Sequence, residues 1–142
     1  MPVREASHLV ALSLIFSVCM LLLLSPLEAK TRPAPSLDSS YVSALDAADH
    51  FLHAWQSGDL EDGMVLLTSH AKELATTDGI EKFFSNSGPS GYEIGRGKQL
   101  KRGRYEFPVV LVGISKNHAR RKFSSIVIVD TGKNDWAVDK LP

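Results

Sequence analysis

The sequence predicts an α+β domain: helices first, then an antiparallel sheet of about four strands that the helices cover on one face. Three observations predict it. Apolar residues recur at spacings of three and four in the first part of the chain, as on one stripe of a helix. From Tyr92 onward the period changes to two. The period-two segments are separated by short polar turns, so successive strands pair as hairpins. There are no internal repeats.

Ahead of the domain lies a segment that reads as an address. Met1 to His8 carries one Arg and one Glu, and Leu9 to Leu24 then runs sixteen residues without a charge. Ser25-Pro26 breaks that run, and Leu27-Glu28-Ala29 leads into Lys30. A short charged start, an apolar stretch, a breaker and a small residue make a secretory signal cut after Ala29. The alternative is an uncleaved membrane anchor over residues 9–27, close to the roughly 17-residue lower limit of a span. Cys19 falls inside the apolar run, but Phe16-Ser17-Val18 ahead of it is a poor lipobox. The expected organisation is therefore a signal peptide or anchor (1–29), a Pro/Ser-rich linker (30–40) and one domain (41–142). The expected location is periplasmic or secreted, with an inner-membrane anchor facing the periplasm as the alternative. Cys19 is the single cysteine, so the exported part holds its fold without disulfides.

Within the domain, Tyr41 to Ser57 is the clearest helix. Ala44, Leu45, Ala48, Phe51, Leu52 and Trp55 form its apolar stripe, and Gly58 stops it. Asp59 is placed to cap a second short helix, Leu60 to Leu67. A third starts near Asp78, where Asp78 and Glu81 are spaced as a capping box and Ile80, Phe83 and Phe84 supply the apolar face. Tyr92 to Leu100 is the first expected strand, with a bulge or bend at Gly95 and Gly97. Arg104 to Ser115 is the second. Tyr105, Phe107, Val109 and Leu111 alternate with Val110, Val112 and Ile114, which predicts a central strand covered on both faces. Pro108 has no N–H for a ladder and is expected to mark a bulge. Lys122 to Asp130 and Asp135 to Leu141 complete the sheet.

Net charge is zero, but it is divided along the chain. Asp38 to Lys82 holds nine acidic and two basic residues, and Phe83 to Pro142 holds five acidic and eleven basic. This pattern suits acidic helices facing a basic sheet, or a basic binding surface on the second half.

The stretch Ala47-Ala48-Asp49-His50-Phe51-Leu52-His53-Ala54-Trp55-Gln56-Ser57-Gly58-Asp59-Leu60 resembles the opening of an NTF2-like domain, and Asp135-Trp136-Ala137-Val138-Asp139 resembles that family's closing strand. The resemblance runs from Tyr41 to Pro142. It implies a cystatin-like α+β cone, in which the sheet curls around a cone whose open end can hold a small molecule. It also implies a possible homodimer, since dimerisation through the sheet is common among such domains. Enzymes of the family, isomerases and dehydratases, place a Tyr, Asp or His inside the cone; no such set matches here residue by residue. Membrane-tethered relatives serve as assembly modules. The resemblance implies no cofactor.

Two groups of residues are candidates for a site. Phe51, Trp55, Phe83, Phe107, Phe123 and Trp136 are expected either to line a ligand cavity or to form the core of a small domain. Arg102, Arg104, Arg120, Arg121 and Lys122 are expected either to bind an anion or acidic partner or to keep strand ends soluble. His50 and His53, with Asp46 and Asp49, lie opposite the apolar stripe and read as a solvated face with weak Asp–His pairs, since a structural zinc site needs four converging ligands. His70 and Lys72 read as surface. Nucleic acid is not an expected partner of an exported protein. The function expected is non-catalytic binding of a small ligand or an envelope protein, with a cone-cavity isomerase or dehydratase, or a membrane-anchored assembly module, as alternatives.

Overall fold

A computed structural model of the chain describes residues 38–85, 90–115, 118–132 and 135–142, all within the unit Ser36–Pro142. The expected signal or anchor, and residues 30–37 of the expected linker, lie outside the described residues.

Four helices come first. Helix α1 is Ser39–Ser57. It starts two residues ahead of the expected Tyr41 because the Asp38 carboxylate accepts from the Ser40 amide at 3.2 Å and caps it. Its stripe of Ala44, Ala48, Phe51, Leu52, Ala54 and Trp55 is buried. Gly58 ends it at φ +71°, a left-handed conformation that costs a side chain roughly 1–2 kcal/mol. Helix α2 (Leu60–Val65) is capped by Asp59, as expected. Helix α3 (Ser69–Ala75) was not expected: Thr68 is its cap and accepts from the Ala71 amide at 3.0 Å. Helix α4 is Thr77–Phe84. Thr76 caps it in place of Asp78, and with φ +56° this one residue both ends α3 and starts α4. Asp78 falls in the first turn, where its charge still favours the positive end of the helix.

The sheet has five strands, not four: β1 (Ser90–Ile94), β2 (Lys98–Lys101), β3 (Arg104–Ser115), β4 (His118–Gly132) and β5 (Asp135–Lys140). The order is β1-β3-β4-β5, all antiparallel, with β2 beside the first half of β3. The extra strand arises where the expected Tyr92–Leu100 breaks at Gly95 to Gly97. A Cβ on Gly97 would run into the Phe107 ring, and one on Gly95 would stand 2.8 Å from Pro108. Pro108 causes no bulge, because β3 pairs with β4 without a register shift from Arg104↔Val129 to Ser115↔His118. Its carbonyl accepts from the Gly95 amide at 2.8 Å, so its nitrogen also faces the break between β1 and β2, where no ladder donor is needed. The register shifts fall instead between β2 and β3 and between β4 and β5.

Strand β3 is central, as expected, but among the described residues helices cover it on one face only. Tyr105, Phe107, Val109 and Leu111 are buried toward the helices. On the outer face Val110 and Val112 are half-buried, and Pro108 and Ile114 are exposed. The chain after α2 protects one sheet edge. Val138 donates to the Leu66 carbonyl at 2.8 Å, and Thr68 donates to the Val138 carbonyl at 2.9 Å. Behind this contact Asp139 is buried and accepts from the Thr68 hydroxyl at 2.9 Å and from Arg104 at 2.7 Å. Burial pushes its carboxyl up, but these two partners outweigh it and hold the carboxyl below its ordinary value.

Candidate functional site

The aromatic side chains of α1 and α4 set the geometry of the site. The Trp55 indole donates to the Phe83 carbonyl at 2.9 Å, and the two rings stand 5.8 Å apart. Phe83 also stacks on Phe51 at 6.1 Å and meets Phe84 edge-on at 5.6 Å. This cluster fixes the last turn of α4 against the end of α1. Beside it, the inner face of β3 carries Tyr105, Phe107, Val109 and Leu111 and then reaches Gly113, which has no side chain. Among the described residues the space over Gly113 is open: a Cβ built there meets none of their atoms within 4 Å. A groove of about 440 Å³ results. Trp55, Phe83 and Leu111 supply its apolar wall, Gly79 and Gly113 its bare backbone, and Lys82, Arg120 and Lys122 its charge.

Arg120 and Lys122 come from β4, where they pair with Gly113 and Leu111 and therefore stand on the same face. Lys82 comes from α4. Lys122 donates a long bond to the Pro142 carbonyl at 3.4 Å. Among the described residues, no carboxylate lines the groove. The arrangement pairs an apolar wall with three cations, which suits an anion that carries an apolar body.

The structure distributes the expected site residues among several places. Trp55 and Phe83 line the groove, and Arg120 and Lys122 join them there. Phe51 and Phe107 are fully buried and belong to the core. Trp136 is half-buried with its ring 5.7 Å from Tyr105. Phe123 lies on the outer face, 76% exposed, beside a cleft of about 240 Å³ that Glu93, Gly95, Pro108 and Val110 help to line. Arg121 lies on that outer face too, opposite Val112. Arg104 is engaged with Asp139, and Arg102 is exposed in the β2–β3 turn. The basic residues are therefore not one patch, because alternation along β4 sends Arg121 to the face opposite Arg120 and Lys122. Lys82, Leu111 and Gly113 were not expected at a site. The signal for Gly113 was available: it follows Leu111 at the next inward position of an otherwise apolar series.

The polar pairs elsewhere are structural. His50 meets Asp62 of α2 at 3.0 Å, not Asp46 on its own helix. Among the described residues, no three His, Cys, Asp or Glu side chains gather as a metal site. Tyr92 donates to Asp49 at 2.8 Å, and burial together with that carboxylate pushes its phenol up to about 12. Tyr105 donates to Asp38 at 3.0 Å, which ties the start of α1 to β3.

Helices on one face of an unclosed antiparallel sheet, with a groove beside them, make this an α+β domain. Two solved structures share it. An NTF2-like protein of unknown function from Shewanella oneidensis MR-1 is 11% identical, with a TM-score of 0.52 over 70% of this chain and 93% of that one. The S. rosetta CaMKII hub is 17% identical, with a TM-score of 0.53 over 74% of this chain and 95% of that one. No protein-family model and no curated protein matches the sequence. The chain has the NTF2-like fold, and at these identities the likeness speaks of the fold alone.

Proposed function

We propose that this chain is an exported NTF2-like domain that binds a small ligand without transforming it, and that the ligand seat is the groove between α1, α4 and the β3–β4 hairpin. The observation that carries this reading is the convergence of Trp55 and Phe83 with Arg120 and Lys122 around the open space over Gly113. Its volume of about 440 Å³ falls within the ~300–1,000 Å³ of small-molecule sites. The ionisable groups of the lining support binding over catalysis. They are amines and a guanidinium, whereas an isomerase or dehydratase needs a matched acid and base within reach of the substrate. The test is native mass spectrometry of the chain purified from an envelope fraction. A reproducible extra mass, lost in the Gly113→Val variant, is the expected result. A clean mass in both proteins overturns the small-ligand reading and moves the role to an envelope protein partner.

Export rests on the charge-free run Leu9 to Leu24 and the break that follows it. N-terminal sequencing of the exported protein is expected to begin at Lys30. An intact apolar run would instead make the chain a membrane-anchored module.

A second reading, self-association, is favoured by the outer face of the sheet. Glu93, Val110 and Phe123 lie in one row across β1, β3 and β4, and Gly91, Val112 and Arg121 lie in the next. An acid near one side of the apolar strip and an arginine near the other make the face self-complementary. A two-fold axis between two such sheets, parallel to β3, lays β1 of one copy over β4 of the other, so that Glu93 faces the row of Phe123 with Arg121 one row along. Sedimentation equilibrium is expected to show a dimer that Phe123→Ser converts to monomer; a monomeric wild type rules the dimer out.

A further inference from the structure

We infer that the ligand of the groove is an anionic amphiphile of small size: one carboxylate, sulfonate or phosphate head on an apolar, ring-sized body. This inference rests on the groove being a ligand seat and adds the chemical class. Three side chains, Lys82, Arg120 and Lys122, have no acidic neighbour among the described residues of the lining and place positive charge on two opposing elements, α4 and β4. All three are exposed at the groove edge, and the buried indole of Trp55 and the Leu111 side chain lie at its wall. Polarity is thus arranged in depth, with apolar surface inside and cations at the rim, so the head of a ligand faces outward and its body inward. A neutral apolar ligand would leave the mutual repulsion of the three cations uncompensated, and a free inorganic anion would leave the apolar wall wet. An amphiphile satisfies both.

Gly113 sets the size of the body. Any side chain there would project into the groove, because its Cβ position is clear of other atoms. Its backbone is in extended conformation within β3, so Gly113→Val fills the groove while suiting the strand. The substitution therefore blocks the seat without threatening the fold.

A matched pair of probes tests the class on the full chain. 1-Anilinonaphthalene-8-sulfonate and N-phenyl-1-naphthylamine share one apolar body and differ by the sulfonate. Fluorescence titration of both is run on the wild type, on Gly113→Val and on the triple variant Lys82→Gln, Arg120→Gln, Lys122→Gln. Gly113→Val serves as the blank, so dye on the outer face around Phe123 is subtracted. The expected result is groove binding of the sulfonate about tenfold tighter than of the neutral dye, as charge-assisted hydrogen bonding implies. That preference is expected to vanish in the triple variant and to shrink as salt is raised. If both dyes bind the groove equally and Gly113→Val abolishes both, the seat stands and the anionic class is wrong. If Gly113→Val changes neither dye's binding, the groove is not a seat and both readings fall.

Discussion

The two faces of the sheet share strands, register and much of their composition, yet they behave differently. Strand β3 shows this most directly. Its inward side chains Tyr105, Phe107, Val109 and Leu111 are 5% exposed or less, while Ile114 of the outward set is 49% exposed and, across from Val110 on β4, Phe123 is 76% exposed. β-Branched residues and aromatics occur on both sides, so strand propensity alone does not separate them. What separates them is α1, which lays Ala44, Ala48, Phe51 and Leu52 against the inner face, whereas among the described residues no helix lies on the outer one, where Val127 is shielded by its neighbours' side chains alone. The outer face is itself divided. Toward β2 and β5 it is a polar network in which Lys98 meets Glu106 at 2.9 Å, and Ser125 donates to Glu106 at 3.0 Å. These partners lower the Glu106 carboxyl below its ordinary value. Around Phe123 and Val110 the face is apolar and open. An exposed apolar face on an otherwise well-packed small domain marks an interaction surface more often than a flaw.

Substitutions on the two faces test that contrast. The largest effect is expected at Phe107, which is fully buried and packs on Tyr41 at 5.4 Å. Phe107→Ala should cost about 3–5 kcal/mol in urea unfolding, enough to unfold a marginal domain. A loss under about 1 kcal/mol would mean that the inner face is not the core.

Next comes the Asp139 cluster, which joins β5, Arg104 and the cap of α3. Asp139→Asn should cost roughly 1–3 kcal/mol at neutral pH by weakening its bonds from Thr68 and Arg104. The pH dependence has a definite sign. Because the folded carboxyl sits below its ordinary value, its stabilisation is present above the unfolded pKa of about 3.9 and is lost as pH falls through the lower folded value. Acid titration of stability should therefore be flatter in Asp139→Asn than in the wild type. Equal slopes would show that the pair does not couple to folding.

The smallest effect is expected on the outer face. Ile114→Thr should change stability by no more than about 0.5 kcal/mol, measured in dilute protein so that self-association does not contribute. A loss comparable to that of Phe107→Ala would mean that the outer face is buried in the folded unit, and the contrast between the faces would fail.

Much of this architecture was legible in the residues. The helical stripe of α1, its stop at Gly58, the cap at Asp59 and the period-two strands follow from local rules that need no distant partner. The break at Gly95 and Gly97 was also visible, although its cause, the Phe107 ring and Pro108 across the ladder, was not. Helix α3 was missed although its cap bond, from the Ala71 amide to Thr68, is local; only the bond from Thr68 to Asp139, 71 residues away, lay beyond local rules. Composition alone pointed to aromatics and cations as site residues, but it pooled Phe51 and Phe107 of the core with Phe123 of the outer face.

By itself the sequence determined the order of elements and their periodicities, because each depends on backbone and side-chain preferences within a few residues. Only the tertiary structure decided which face of each strand is covered, and therefore which candidates meet. Alternation along β4 separates Arg121 from Arg120 and Lys122, and packing of α4 brings Lys82 and Phe83 to the same groove. A groove is a property of the space between elements, and local preferences along one chain segment do not encode that space.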